Sequence, residues 1–210
     1  MKRVPVVATA IVLAAVAAMI ALGVWQLQRR HEKLALLALY AGNQHRPAIA
    51  MPALPDDRVL FRRATAMCLQ PTAWKRDSGR SADGGSGWRA IAQCRAPAGG
   101  RTGAEGPGFA VQMGVGGDPM HNPAWAGGLV SGYITHAPQH RSLFGNLASH
   151  GPDELMLVAD TPLPGLKANP AANLDDVPNN HLAYAVQWFV FASIAAIIYA
   201  IALWRRTARG

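Results

Sequence analysis

Two long apolar stretches, neither of which contains a charged residue, lie near the two ends of this 210-residue chain. Residues 4–24 hold 21 amino acids and residues 182–204 hold 23. With a rise of about 1.5 Å per residue, a helix over either stretch is long enough to cross the roughly 30 Å hydrocarbon core of a bilayer. The sequence therefore predicts a membrane protein with two transmembrane helices, over residues 4–24 and 181–204.

The charges beside the two stretches predict their orientation. The terminal tails carry only basic charges, on Lys2, Arg3, Arg205, Arg206 and Arg209. The positive-inside rule therefore places both termini in the cytoplasm. The loop between the spans is long, and long loops are translocated largely regardless of their charge. We therefore expect the loop to be exported.

The first stretch has two interpretations. Lys2 and Arg3 before an apolar run are also typical of a cleaved signal peptide, but this run exceeds the about 7–15 residues of a signal-peptide core. We therefore expect an uncleaved anchor. Because the stretch begins at residue 4, no room remains for an Arg-rich transit peptide. The expected location is the bacterial inner (cytoplasmic) membrane, with a periplasmic main domain.

The net charge of +8 comes mostly from the basic tails. The loop has no cluster of basic residues interleaved with aromatic residues, which is a pattern typical of nucleic-acid binding. We therefore expect the lipid bilayer to be a partner and expect no nucleic acid.

Residues 25–180 are expected to form a β-rich domain. A leucine-rich stripe over residues 26–41 predicts that the first helix continues beyond the membrane, and three prolines make residues 43–57 a linker. Most of the 21 glycines fall between positions 79 and 128, where helix is therefore unfavourable. The expected fold is a small open barrel or a strongly bent sheet, with few or no helices of its own. Short strands are predicted over residues 59–69, 88–95, 109–115, 128–135 and 155–159.

The two cysteines, Cys68 and Cys94, lie in the loop, where an oxidising compartment permits a disulfide. They do not form a CxxC pair, so thiol-redox or copper chemistry has little support. The polar, glycine-rich residues 78–87 predict a hairpin between the first two strands, with its turn near position 79. That register places Cys94 opposite position 64, so a disulfide requires a register shift, a bulge or a different strand pairing. The sequence leaves both the bonded and the free state open.

No arrangement of residues in the loop predicts an enzyme. Residues 114–119 do not form GxGxxG, and GK[ST], GxSxG and HExxH are absent from the sequence. A proline between His136 and His140 breaks the helical spacing that a zinc pair would use. We expect the acids before the last helix to favour its positive N-terminus. The other histidines and paired acids are His121, His150, Asp153-Glu154 and Asp175-Asp176.

The strongest candidate for a binding site is a histidine at the start of the second predicted span. Pro178 and two asparagines indicate that the helix starts next to His181, which then lies in the first turn, near the membrane surface. With a rotation of 100° per residue, the aromatic residues below it fall within a sector of roughly 80° on one face of the helix. Such a histidine either ligates haem iron beside an aromatic wall or is an interfacial residue above an aromatic belt. The aromatic residues are Tyr184, Trp188, Phe191 and Tyr199.

The end of the first span complements that histidine. With antiparallel spans, Trp25 is level with His181, and Arg29 and Arg30 lie about one turn beyond Trp25. Guanidinium groups are well suited to bind haem propionates, although Trp and Arg also anchor helices at interfaces without any ligand. The candidate haem contacts are the iron ligand His181, the ring neighbours Trp25, Tyr184 and Trp188, and the propionate partners Arg29 and Arg30.

Both ends of the chain resemble signatures of one known family. Residues 22–30, Leu-Gly-Val-Trp-Gln-Leu-Gln-Arg-Arg, followed by Lys33, resemble the LGxWQLxR…K signature of the surfeit locus protein 1 family. Residues 179–189, Asn-Asn-His-Leu-Ala-Tyr-Ala-Val-Gln-Trp-Phe, resemble its longer NNHLxYAxQWF signature. Residues 61–63 are similar to its aromatic-Arg-Arg strand start. The family's Asn-Arg-Gly-Trp stretch is absent, and residues 126–133 stand about where it belongs.

The resemblance implies two spans around an exported domain and a role in the assembly of cytochrome c oxidase. It also implies binding of haem a for delivery to subunit I, with His181 matching the proposed ligand. The expected partners are then subunit I and the machinery that synthesises haem a. The leading hypothesis is a haem a chaperone that is not an enzyme. The alternative is a structural scaffold that assembles oxidase subunits without binding haem.

Overall fold

The computed structural model describes residues 5–97, 105–138 and 153–208. It separates into two compact units. The helical unit comprises Met1–Leu37 and Asp175–Gly210, and the sheet unit comprises Ala38–Leu174. Several residues used in the sequence analysis lie outside the described residues, namely Lys2, Arg3, His140, His150 and Arg209.

Two long helices contain the apolar stretches. Helix α1 is Val6–Gln44 and helix α2 is His181–Ala208. Both are long and apolar enough to cross a membrane. The predicted continuation of the first helix is confirmed, since α1 is unbroken to Gln44. The predicted start of the last helix is confirmed as well, because the amide of Tyr184 donates to the carbonyl of Asn180 at 3.2 Å and closes the first turn.

The sheet unit contains a seven-stranded mixed sheet, as the β-rich prediction requires. The strand order is β1-β2-β6-β7-β5-β4-β3, in which the β1–β2 and β5–β7 pairs are parallel and the others antiparallel. Among the described residues, the helical elements of the sheet unit are the end of α1 and a short 3-10 turn at Asp57–Val59. A second 3-10 turn, Leu174–Asp176, lies at the boundary with the helical unit. The strands are β1 Ile49–Ala50, β2 Arg63–Cys68, β3 Gln70–Arg80, β4 Ser86–Pro97, β5 Glu105–Gly116, β6 Gly128–His136 and β7 Leu155–Ala159.

Strand β7 explains the apolar run at residues 155–159, because all five of its residues are buried. Leu155 and Leu157 belong to the main core, whereas Met156 and Val158 pack in a second cluster with Ile91 and Ala110. Side chains on neighbouring positions of a strand point to opposite faces. The sheet is therefore covered on both faces at its centre.

The sheet curves so that two strands that are not neighbours in the strand order meet, as either predicted form, a small open barrel or a strongly bent sheet, requires. Strands β2 and β4 are not neighbours in the strand order, yet Cys68 of β2 and Cys94 of β4 form a disulfide with a Cα–Cα distance of 5.2 Å. Next to the disulfide, the amide of Leu69 donates to the carbonyl of Arg95 at 2.9 Å. The question that the sequence left open is thus decided by a different strand pairing.

The predicted hairpin was wrong in its first strand. Residues 59–69 were expected to pair with residues 88–95, but β4 pairs with β3, and the turn lies at residues 81–85. Strand β3 is an edge strand with a mostly exposed, polar surface, of which Asp77 is the buried residue. Such a strand has little of the apolar alternation by which strands are recognised.

The turn between β3 and β4 is organised by Asp83. Its carboxylate accepts hydrogen bonds from Lys167 Nζ at 2.7 Å, from the amide of Gly85 at 3.1 Å and from the hydroxyl of Ser81. The bonds from Lys167, Ser81 and Gly85 hold the pKa of this carboxyl well below its usual range. Asp83 thus stabilises this turn, whereas the glycine-rich composition predicted only its approximate position.

The predicted linker at residues 43–57 is partly ordered structure, since it contains the end of α1 and strand β1. Asn43 is buried and its Nδ2 donates to the carbonyls of Arg58 at 2.7 Å and Leu60 at 2.9 Å. Phe61, which follows, has a φ of 63°. Its amide donates to Ile134 O at 2.8 Å and its ring lies 5.3 Å from that of Tyr40, so surrounding contacts stabilise this costly conformation.

The disulfide gives a first prediction. Protein denatured without a reductant should contain no free thiol, because its only two cysteines are bonded. Replacing both by alanine should lower the free energy of unfolding of the sheet unit by about 3 kcal/mol, since the bond closes a loop with a sequence separation of 26. Thiol titration and urea unfolding measure the two effects. Two titratable thiols in the unreduced protein would contradict the strand arrangement.

Candidate functional site

Within the helical unit, α1 and α2 pack against each other in antiparallel orientation. Three pairs of residues are in contact along the two helices: Thr9 with Tyr199, Gly23 with Phe189, and Gln26 with His181. As the residue number rises along α1, the number of the partner falls along α2. The two apolar helices therefore run side by side, with residue 26 of the first level with residue 181 of the second.

The face of α1 that meets α2 follows a regular spacing. Between Thr9 and Gln26, its buried or half-buried positions alternate between steps of three and four residues, which is a period of 3.5. This spacing is typical of helices that pack at a shallow angle over a long distance. We call these positions the α1 seam: Thr9, Val12, Val16, Met19, Gly23 and Gln26.

Gly23 determines how closely the helices approach. A Cβ atom added at this position would lie 2.7 Å from Cε1 of Phe189, which is closer than non-bonded carbon atoms approach. Small residues let two helix backbones come together, and this is a common device in membrane helix pairs. The absence of a side chain at Gly23 thus permits the ring of Phe189 to fill the seam one turn below Gln26.

Polar pairs lie at both ends of the apolar part of the seam. The hydroxyls of Thr9 and Tyr199 are 2.5 Å apart, and His181 Nδ1 lies 2.8 Å from Gln26 Oε1. Seventeen residues separate Thr9 from Gln26, which corresponds to about 26 Å along α1. This distance is close to the roughly 30 Å thickness of a hydrocarbon core. The two pairs fix the register of the helices and leave the middle apolar.

The hydrogen bond to Gln26 indicates which nitrogen of the His181 ring carries a hydrogen. A carboxamide oxygen only accepts hydrogen bonds, so His181 Nδ1 carries the hydrogen and donates it to Gln26 Oε1. In a neutral imidazole, the other nitrogen, Nε2, then has a lone pair. Among the residues that the structure describes, none forms a hydrogen bond with Nε2. The half-buried ring therefore offers one nitrogen to a ligand.

The aromatic residues predicted to share a face with His181 are divided between two environments. Trp188 and Tyr199 are half-buried against α1, whereas Tyr184 is 51% exposed and Phe191 is 45% exposed. Trp188 and Phe191 are in edge-to-face contact, with their ring centroids 6.3 Å apart. The predicted single stripe is thus divided. Trp188 and Tyr199 are half-buried, whereas the rings of Tyr184 and Phe191 are exposed.

The three candidate residues on α1 also occupy different environments. Trp25 is 50% exposed, whereas Arg30 is half-buried. Arg29 forms an ion pair with Glu32 at 2.6 Å, a partner that the sequence analysis did not consider. Of the residues on α1, Gln26 is the one that bonds His181. A signal for Gln26 was present in the sequence, because it falls on the 3.5-residue spacing that includes Gly23.

Arg29 and Tyr184 lie on the same side of the helix pair. Arg29 is three residues after Gln26, and Tyr184 is three residues after His181. In an antiparallel pair, positions with the same rotation from the seam share a side. Because the helices run in opposite directions, Arg29 lies about 4.5 Å beyond the Gln26–His181 pair and Tyr184 about 4.5 Å before it along α1. One flank therefore combines a guanidinium, an imidazole and a phenol ring.

The histidines of the sheet unit are placed differently. His136 ends β6, and its Nε2 is 2.9 Å from Asp57 Oδ1. The carbonyl of His121 accepts a hydrogen bond from Arg76. The described part of the chain contains no group of three or more His, Cys, Asp or Glu side chains that could hold a metal ion. Asp175 and Asp176 form a 3-10 turn ahead of α2.

Two long apolar helices that flank a mixed-sheet domain in the sequence are consistent with the class of two-span membrane proteins. The model of the SURF1 family matches residues 13–70 and supports the assignment of the chain to the surfeit locus protein 1 family, as its two signatures indicated. That family is associated with the assembly of cytochrome c oxidase. The matched region includes Gly23, Gln26 and residues 61–63, but it ends before α2. No curated protein matches the chain.

The close approach at Gly23 gives a second prediction. Gly23→Leu should lower the free energy of unfolding of the helix pair by about 1–3 kcal/mol, because the added side chain overlaps Phe189. Gly42→Leu is the matched control, since a Cβ at Gly42 in the same helix meets no atom within 4 Å. Both variants replace glycine by leucine, a better helix former, in the same helix, so a loss of stability in Gly23→Leu alone is attributed to the clash. Unfolding in mixed micelles, followed by tryptophan fluorescence, measures it. Equal stability of the two variants would contradict the packing.

Proposed function

We propose that this protein is a membrane-bound assembly factor that binds haem a and assists its insertion into subunit I of cytochrome c oxidase. The observation that carries the proposal is the state of His181. Its Nδ1 is held by Gln26 and its Nε2 is available, within a sequence that resembles the family's NNHLxYAxQWF signature. A neutral imidazole with one available nitrogen is a common axial ligand of haem iron.

Insertion of both helices in the membrane is part of the proposal. Many large apolar side chains of α1 and α2 are exposed, which is unfavourable in water and favourable in lipid. The polar pairs Thr9–Tyr199 and Gln26–His181 bracket a length that fits a hydrocarbon core. Together with the basic tails, this supports the proposal that both termini lie in the cytoplasm and the sheet unit in the periplasm. The exposed side chains include Val6, Ile11, Leu13, Ile20, Ile194, Ile197, Ile198 and Ile201.

The residues around His181 fit a haem group. When bound, haem a supplies an iron with an open axial position. The carrier ligates this iron and does not change the haem chemically. The lone pair on His181 Nε2 would bind the iron, and Tyr184 and Trp188 would contact the ring. Trp25 adds a third aromatic surface on α1. Arg29, on the same flank as Tyr184, and Arg30 are the cations for the propionates, where Arg29 would exchange its bond to Glu32 for one to a propionate.

A carrier role needs binding and release rather than catalysis, so we propose that the protein is not an enzyme. The haem a synthesis machinery would supply the cargo, and subunit I would receive it. A scaffold that brings oxidase subunits together without haem is the competing function. The two differ in a single property, which is retention of haem a by the purified protein.

Orientation in the membrane gives a third prediction. A reporter that is active only outside the cytoplasm should be active when fused after Gly151 and inactive when fused after Gly210. The reasons are the basic residues of both tails and the two candidate spans between them. Activity of the fusion after Gly210 would exclude a cytoplasmic C-terminus.

Loss of the proposed ligand gives a fourth prediction. His181→Ala, in protein purified from cells that make haem a, should reduce bound haem to background while the protein still inserts, because alanine favours helix and removes only the ligand. His181→Met should retain some haem with an altered absorption spectrum, since a thioether also ligates haem iron. The measurement is the absorption spectrum together with the ratio of haem to protein.

His136→Ala is the matched control for that experiment, because it removes a histidine of the sheet unit that is bonded to Asp57. It should leave the haem content and the spectrum unchanged. Full haem content with an unchanged spectrum in His181→Ala would refute ligation by His181 and favour the scaffold function.

A further inference from the structure

We propose that Gln26 is the positioning residue for His181: its side-chain oxygen holds the hydrogen on Nδ1 and thereby keeps the lone pair on Nε2, the nitrogen that binds iron. This inference rests on the proposed function. It adds a role for α1, since the site is incomplete with α2 alone. The residues that carry it are in direct contact, at 2.8 Å.

Packing fixes the position of the Gln26 side chain. Gln26 is half-buried on the α1 seam, and Gly23, three residues before it, allows α2 to approach closely. The side-chain oxygen of Gln26 therefore contacts the imidazole of His181 across the interface between the two helices. Ligating histidines almost always donate their second ring hydrogen to a carboxylate, a carbonyl or water, which orients the ring and sets its basicity. Gln26 meets that requirement with a neutral side-chain carbonyl.

The neutral acceptor has a chemical consequence. A carboxylate in the same place would accept a stronger, charge-assisted hydrogen bond from Nδ1, which makes Nε2 more basic and the iron more tightly held. A carboxamide leaves Nε2 less basic, so the imidazole is a weaker ligand. Moderate ligation suits a protein that must give up its cargo. Gln26 thus sets the orientation of His181 and limits its strength as a ligand.

The first test needs no haem. In the full-length, haem-free protein at neutral pH, ¹⁵N NMR of the imidazole nitrogens distinguishes which nitrogen carries hydrogen, and the resonances missing from His181→Ala identify the residue. We expect the Nδ1–H form in the wild type and in Gln26→Glu. Gln26→Leu, which has a similar size but no acceptor, should shift the population towards Nε2–H. Gln28→Leu is the matched control, because Gln28 is exposed on the same helix.

The second test measures haem a binding by the wild type, Gln26→Leu, Gln26→Glu and Gln28→Leu. Gln26→Leu should weaken haem affinity about 10- to 100-fold, the usual effect of removing a group that orients a ligand. Gln26→Glu should bind at least as tightly as the wild type, and its iron should have a lower reduction potential because the imidazole is more basic. Gln28→Leu should match the wild type in affinity, spectrum and potential. Rescue of binding by glutamate, together with the changed potential, separates positioning from simple packing.

The outcomes separate the two proposals. If His181→Ala loses haem but Gln26→Leu keeps full affinity and an unshifted Nδ1–H resonance, the role of Gln26 is refuted and the haem-binding function stands. If the wild type retains no haem, the proposed function fails, and the NMR result alone decides whether Gln26 sets the tautomer. A tautomer that does not change in Gln26→Leu overturns the positioning role in either case.

Discussion

The contact between α1 and α2 is the constraint on which the candidate site depends. Two apolar helices in a hydrocarbon environment gain little from apolar contact alone, because lipid tails provide the same contact. Close packing and interhelical hydrogen bonds must therefore hold them. Gly23 supplies the close packing, and the Thr9–Tyr199 and Gln26–His181 pairs supply the bonds. The same contacts that fix the register of the helices also orient His181.

Features with a strong local signal were predictable from the sequence. Both helices follow from uninterrupted apolar runs, and the start of α2 at His181 follows from the proline and asparagines before it. Strand β7 was recognisable from the sequence because all of its residues are apolar, and in the structure all of them are buried. His181 was singled out as a candidate because an imidazole is costly near lipid, and the resemblance to a known signature added to that argument.

Features that depend on distant parts of the chain were not predictable. Strand β3 is a polar edge strand, so its register is set by pairing with β4 rather than by its own pattern. The Cys68–Cys94 bond requires a sheet that bends until β2 meets β4, which no local spacing reveals. Arg29 pairs with Glu32, and Gln26 pairs with His181. Each of these side chains could contact several polar partners, so the sequence alone does not identify which one it contacts.

The geometry of the seam also bears on how a cargo would leave. Phe189 fills the space beside Gly23, so the seam below the Gln26–His181 pair has no room for a porphyrin. A haem ligated by His181 would therefore lie on the flank that carries Tyr184 and Arg29, both of which are exposed. A ring on this flank would be covered by protein on one side and open to the bilayer on the other. Under the proposed function, an open side lets subunit I approach the haem within the membrane without separating the two helices.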